Sequence, residues 1–170
     1  MKKIVFLSIL MASIALAVEA VSAMHGTISK IDSGAKTIVV KTADGAEHTF
    51  HFVAKTTVHG TEAGARDAFH GLKEGSEVVA HYTAKGTENT AVEVDEIGKN
   101  GLKTMEGTVS EIDRGGKKLV VKSADGSEQA FKMADHAADE TGKGAQKAAK
   151  VTVYYTEDAG KKIAHFFQGR

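Results

Sequence analysis

The sequence predicts an all-β protein of two tandem small barrels, OB-like or SH3-like, with a short helix in each module. Three observations predict it. Residues 24–50, MHGTISKIDSGAKTIVVKTADGAEHTF, return as residues 105–131, MEGTVSEIDRGGKKLVVKSADGSEQAF, at a constant offset of 81 and with 16 of 27 positions identical. A gapless match of that density is a duplication of one unit. Within each copy, β-branched runs are divided by Asp-Gly turns, the pattern of strands joined by hairpins. Each copy then has too few strands for a broad sheet, and closing them into a barrel removes the unpaired edges. A rolled, open sheet is the alternative.

In the first copy, residues 27–31 form a short strand that ends at the turn Asp32-Ser33-Gly34. Residues 37–41, with Ile38, Val39 and Val40, make the second strand. Asp44-Gly45 then supplies a tight turn, since glycine accepts the positive φ such turns need. Residues 47–53 alternate, with Phe50 and Phe52 on one face and Thr49 and His51 on the other. A short fourth strand is expected at residues 56–58. One or two helical turns follow at residues 65–70, stopped by Gly71. Residues 77–83 and 90–97 complete the module, the last with Ala91, Val92 and Val94 available for burial. The second copy repeats the turns as Asp113-Arg114-Gly115 and Asp125-Gly126, and shortens the connector to residues 135–149. It resumes at residues 151–156 and 162–167. Aligning Val78 with Val151 sets Tyr82 against Tyr155 and His81 against Tyr154.

The boundaries follow: residues 1–23 as a signal peptide, 24–100 as the first module and 101–170 as the second. Lys2 and Lys3 precede an apolar stretch over residues 4–18, and Val21-Ser22-Ala23 offers the small residues at which a signal peptidase cuts. The apolar stretch is shorter than the roughly 20 residues a spanning helix needs. Export to the periplasm or cell exterior is therefore expected, with cleavage near Ala23 and no transmembrane span in the mature chain. There is no cysteine, so no disulfide braces an exported module. Modules of about 70–80 residues are marginal on one core, so the two are expected to pack on each other or to self-associate. Gly98-Lys99-Asn100-Gly101 is a short link between them.

The order Gly26-Thr27, Ile31-Asp32, Val39-Val40-Lys41, Asp44-Gly45, Phe50, Leu72-Lys73-Glu74-Gly75, Val78, Tyr82-Thr83, Ala91 and Val94 resembles exported bacterial small-barrel repeat proteins. In shape it also resembles, distantly, the periplasmic copper-chaperone barrels. The resemblance implies a fold; the shared residues lie in turns and core. Those chaperones hold copper with a Trp and a close pair of Met beside a His. This chain has no Trp, and Met24, Met105 and Met133 are isolated, so copper(I) delivery of that type is not expected.

Eight histidines are the first candidates for chemistry: His25, His48, His51, His59, His70, His81, His136 and His165. Six lie in the first module. His51 and His81 both fall on its expected outer face and form the candidate zinc or copper site, provided their strands pair. Otherwise no cofactor is expected. The histidines should also add positive charge between about pH 7 and pH 5. Tyr154, expected on an outer face, is the candidate contact for a ligand or partner. No Gly-x-Ser-x-Gly elbow and no cysteine nucleophile is present, so an enzyme is not expected. Loss of Lys2, Lys3 and Glu19 from 22 basic and 22 acidic residues leaves 20 and 21, a near-neutral balance unsuited to nucleic acid. The expected function is a non-catalytic binding or structural protein acting on a protein or cell-envelope component. A histidine-dependent divalent metal binder is the alternative.

Overall fold

A computed structural model of the chain describes residues 20–61, 69–139 and 145–170. The leader expected at residues 1–23 lies mostly outside them. The first barrel comprises β1 (Ser22–Asp32), β2 (Thr37–Lys41), β3 (Glu47–His59), β4 (Glu77–Lys85) and β5 (Glu88–Glu96). The second comprises β6 (Lys103–Asp113), β7 (Lys118–Lys122), β8 (Glu128–Asp139), β9 (Lys150–Asp158) and β10 (Lys161–Gly169). Each closes on itself. β1 pairs with both β2 and β4, and β6 with both β7 and β9, while β3–β5 and β8–β10 are the parallel seams. The closed barrel is found and the open sheet is not.

The turns repeat in atomic detail. The Ala35 and Gly116 amides each donate to the carboxylate of Asp32 or Asp113 at 2.9 Å. Asp44 and Asp125 each accept a hydroxyl at 2.5 Å, from Thr42 and from Ser123. Gly45 and Gly126 stand at φ of 87° and 88°, conformations other residues avoid. β1 must leave β4 and join β2 within one residue, and Gly26 sits at that corner. A Cβ there would lie 2.5 Å from the Lys41 carbonyl oxygen, and one on Gly107 the same distance from that of Lys122. Glycine at a barrel corner lets the backbone approach closely.

Both cores use the same positions. Ile28, Ile38, Val40, Phe50 and Val78 fill the first barrel, and Val109, Leu119, Val121, Phe131 and Val151 fill the second. Phe50 meets Tyr82 edge-on at 5.1 Å between ring centroids, and Phe131 meets Tyr155 at 5.1 Å. Such pairs add about 0.5–1.5 kcal/mol to their burial.

Three expectations are corrected. Residues 56–58 are no separate strand but the continuation of β3. β8 runs to Asp139, so the connector expected from 135 begins as strand. The helix expected at 65–70 falls mainly outside the described residues. Among those described, the first module has only the 3-10 turn Phe69–Gly71, and neither module has an α-helix. That turn is enough to lay Phe69 edge-on to Phe52, at 5.0 Å, and to bring Leu72 onto the core. β1 starts at Ser22, and Ser22 and Ala23 pair with Tyr82 and His81. No helix of the described residues is long and apolar enough to cross a membrane.

The modules pack on each other through the outer faces of β4–β5 and β9–β10. Ala23 and Val79 of the first barrel join Leu102, Tyr154 and Phe166 in one buried apolar cluster. β4 is accordingly buried on both faces, with Val78, Val79, Ala80 and His81 in unbroken succession.

Gly107→Ala should lower stability by about 1–3 kcal/mol, the usual cost of forcing atoms into a packed site. For a module of this size each kcal/mol is about 4–8 °C of melting temperature. Thermal denaturation followed by circular dichroism checks it, and an unchanged midpoint would mean the corner has room.

Candidate metal centre

β5 lies between β3 and β4, and its register builds a site. Across the parallel seam Thr57 faces Glu93 and His59 faces Asp95; across the antiparallel side His81 faces Glu93 and Val79 faces Asp95. Glu93 and Asp95, two apart on a strand, share one face. That face is the outer one, turned toward the second barrel. His59 Nδ1 lies 2.9 Å from Glu93 Oε1 and 3.0 Å from Asp95 Oδ1. His81 Nε2 lies 3.7 Å from Asp95 Oδ2. From the second barrel, His165 Nδ1 comes within 4.0 Å of Glu93 Oε1 and 3.9 Å of Asp95 Oδ2. The other nitrogen of His165, Nε2, is 2.9 Å from the Thr156 hydroxyl.

The cluster is largely withdrawn from water. The side chains of His81 and Asp95 are 1% and 2% exposed, whereas His59 is 57% exposed and opens the site to solvent. Oδ2 of Asp95 has no hydrogen-bond partner among the described residues, and the ring nitrogens of His81 have none of good geometry, although the His136 backbone acts on that ring. Leaving a buried polar group unpaired costs about 1–3 kcal/mol.

The electrostatics follow from that burial. Burial, and then the Glu93 charge, pushes the Asp95 carboxyl up to about 7. Burial pushes His81 down to about 4, with the charges of His165 and His136 adding to it and Glu93 opposing. His165 is lowered, again chiefly by burial. For His59 burial also lowers, but the hydrogen bonds and charges of Asp95 and Glu93 outweigh it and the ring is raised. The expected gain of positive charge between pH 7 and pH 5 therefore does not extend to His81, which stays neutral and able to offer a lone pair.

His51 and His81 do not form a site together. β5 separates their strands: His51 pairs with Thr37 and Thr90 and is exposed, while His81 is buried. Tyr154 is not an exposed contact. It is 5% exposed and packs between the barrels, its ring 5.0 Å from His25 and 5.5 Å from Phe166. His81 and Tyr154 do point outward from their barrels, and each module covers the outward residue of the other. Glu93 and Asp95 are not among the sequence candidates, and His59 and His165 are there only as two of eight histidines, unassigned to a site. Two signals were there. Glu93-Val94-Asp95 puts carboxylates at a period of two on a strand, and Val78-Val79-Ala80 breaks the alternation of a strand exposed on one face.

His59, Glu93 and Asp95 offer three ligand atoms within 4.8 Å of one another, and the imidazoles of His81 and His165 stand beside Asp95 outside that group. Nitrogen and oxygen donors of this kind suit zinc or copper(II), and no thioether is among them to favour copper(I). Neither a protein-family model nor a curated protein matches the chain. Solved structures similar to it include Ag(I)CusF, at 17% identity, 45% of this chain, 97% of that chain and a TM-score of 0.35. CusF-Ag(I) residues 10–88 from Escherichia coli is similar at 17% identity, covering 48% of this chain and 98% of that one with a TM-score of 0.37. For apo-CusF residues 6–88 from Escherichia coli the values are 17%, 52%, 100% and 0.38. This is the distant resemblance to copper-chaperone barrels expected from the sequence, and it concerns shape alone.

The two buried groups oppose each other in pH dependence. A His81 held near 4 against about 6.5 unfolded contributes stability that is complete above 6.5 and lost as pH falls toward 4. An Asp95 raised to about 7 from 3.8 contributes stability that is complete below 3.8 and lost as pH rises toward 7. In metal-free protein, His81→Phe should therefore gain stability on acidification from pH 7 to 4 relative to the native chain. The difference between the two curves should reach about 3 kcal/mol. Urea unfolding across that window measures it, and parallel curves would refute it.

Proposed function

We propose that this chain is an exported, non-catalytic protein that binds a divalent transition-metal ion, zinc or copper(II), on the outer face of its first barrel. His59, His81, Glu93 and Asp95 supply the ligands. One observation carries the reading: His59, Glu93 and Asp95 bring three ligand atoms within 4.8 Å of one another, and the buried Oδ2 of Asp95, without a hydrogen-bond partner, lies 3.7 Å from the buried Nε2 of His81. A cation there would satisfy both. The distances from His59 to Glu93 and Asp95, 2.9 and 3.0 Å, and from His81 to Asp95, 3.7 Å, are near the edge of about 3.4 Å expected for a tetrahedral site with bonds of about 2.1 Å, and His81 must move toward the group of His59, Glu93 and Asp95 to complete it. Export is supported by the layout of residues 1–23 alone. The non-catalytic part rests on the lack of a cysteine nucleophile and of a Gly-x-Ser-x-Gly elbow in the sequence.

Titration of the metal-free protein with zinc or copper(II) by calorimetry should show tight binding of one ion. At a hundred times the dissociation constant the ion should stabilise the fold by about 2.7 kcal/mol. Asp95→Asn and His59→Ala should each weaken binding by at least the tenfold to hundredfold that outer partners of a metal cost. His51→Ala should leave affinity unchanged. No heat and no shift in melting with either ion would reject metal binding and return the function to a protein or envelope partner.

A further inference from the structure

Resting on that metal reading, we infer that the second barrel supplies a ligand, His165, so that the bound ion is a clasp between the two modules. His165 occupies a β-bulge. The ladder of β10 with β9 jumps between Ala164 and Phe166, leaving His165 as the extra residue. The first barrel has the same irregularity in β5, where the ladder with β4 passes from Ala91 to Glu93 and leaves Val92 over. A bulge re-aims the side chain it carries. In β5 the bulge carries valine; in β10 it carries an imidazole directed across the interface at the carboxylates of the other barrel.

The ring is also oriented. Its Nε2 is engaged by Thr156 at 2.9 Å, a hydroxyl able to accept the Nε2 proton and leave the Nδ1 lone pair free. That is the partner a metal-bound histidine normally has on its far nitrogen. Nδ1 is then the atom facing Glu93 and Asp95, at 4.0 and 3.9 Å. These distances exceed the tetrahedral edge of about 3.4 Å by roughly half an ångström, so His165 stands just outside the group of His59, Glu93 and Asp95 and must move in to bind an ion held there. The groups facing this point from every packed element are His59 on β3, His81 on β4, Glu93 and Asp95 on β5 and His136 on β8. The interface beside them is the small apolar cluster around Tyr154 and Phe166. Binding of an ion by both barrels would add to that cluster a bond that neither barrel makes alone.

The full chain tests this with zinc. His165→Ala should lower zinc affinity about 10–100-fold, and Thr156→Val, which keeps the ring, should give a smaller loss in the same direction. Hydrogen exchange distinguishes a bridging ion from one held by the first barrel. Zinc should slow exchange of backbone amides in β9 and β10 as well as in β3 and β5, and in His165→Ala the slowing should persist only in β3 and β5. If zinc binds the native chain but His165→Ala binds equally well and β10 is unchanged by the ion, the clasp is wrong and the first-barrel site stands. If zinc binds neither chain, both fall. Metal-free melting curves of the variants establish that each is folded before the comparison.

Discussion

A carboxylate cannot be enclosed in protein without a compensating proton, cation or set of donors, and Asp95 is enclosed. The organisation of the interface follows from how that demand is met. Burial alone would push the acid to its neutral form, and the nearby Glu93 pushes the same way. The first barrel answers with histidines on the two strands that flank β5, and the second adds another from its bulge. Of these rings only His59 is raised by the acids and hydrogen-bonds to them; the other two are lowered by their surroundings. The result is a pocket of bases and acids short of positive charge, placed where two independently closed barrels meet.

Duplication explains how one face came to do this. The positions of His81, Glu93 and Asp95 in the first barrel correspond to Tyr154, Phe166 and Gln168 in the second, because the two ladders run in the same register. One copy put charge and imidazole on its outer β4–β5 face and the other put rings there. Neither face suits water well, and each covers the other. Two identical faces would have given either a wholly apolar contact or a repulsive one. Divergence at three or four sites made the contact mixed, with an apolar part that holds and a polar part that offers ligands. The interiors, under a different constraint, changed little.

That contrast sets what was legible in the sequence. The repeat of 27 residues, the Asp-Gly turns and the alternation around Phe50 specify strands, their order and the duplicated core. Each depends on local preference or on a period that can be read along the chain. The site depends on which strand lies beside which. Placing His59 across from Asp95 needs the parallel seam between β3 and β5, which no local pattern announces. His51 and His81 were the natural pair as long as their strands were taken as neighbours; β5 between them dissolves that pair and creates another. Tyr154 and His81 do point outward, yet a single chain's sequence does not say that its own other module covers each of them.

The near-identity of the two copies carries a hazard for folding. A hairpin of one barrel could complete the other, since their turns and registers match, and exchange of equivalent elements is a characteristic failure of tandem domains. The cores contain a discriminator. Ala80 and Val94 in the first barrel stand where the second has Val153 and Phe167. An exchanged β4–β5 hairpin would leave a void in one barrel and crowd the other, and each error costs on the order of 1–3 kcal/mol or more. Unequal filling of two otherwise matching interiors thus acts as a lock-and-key check that each strand has returned to its own barrel.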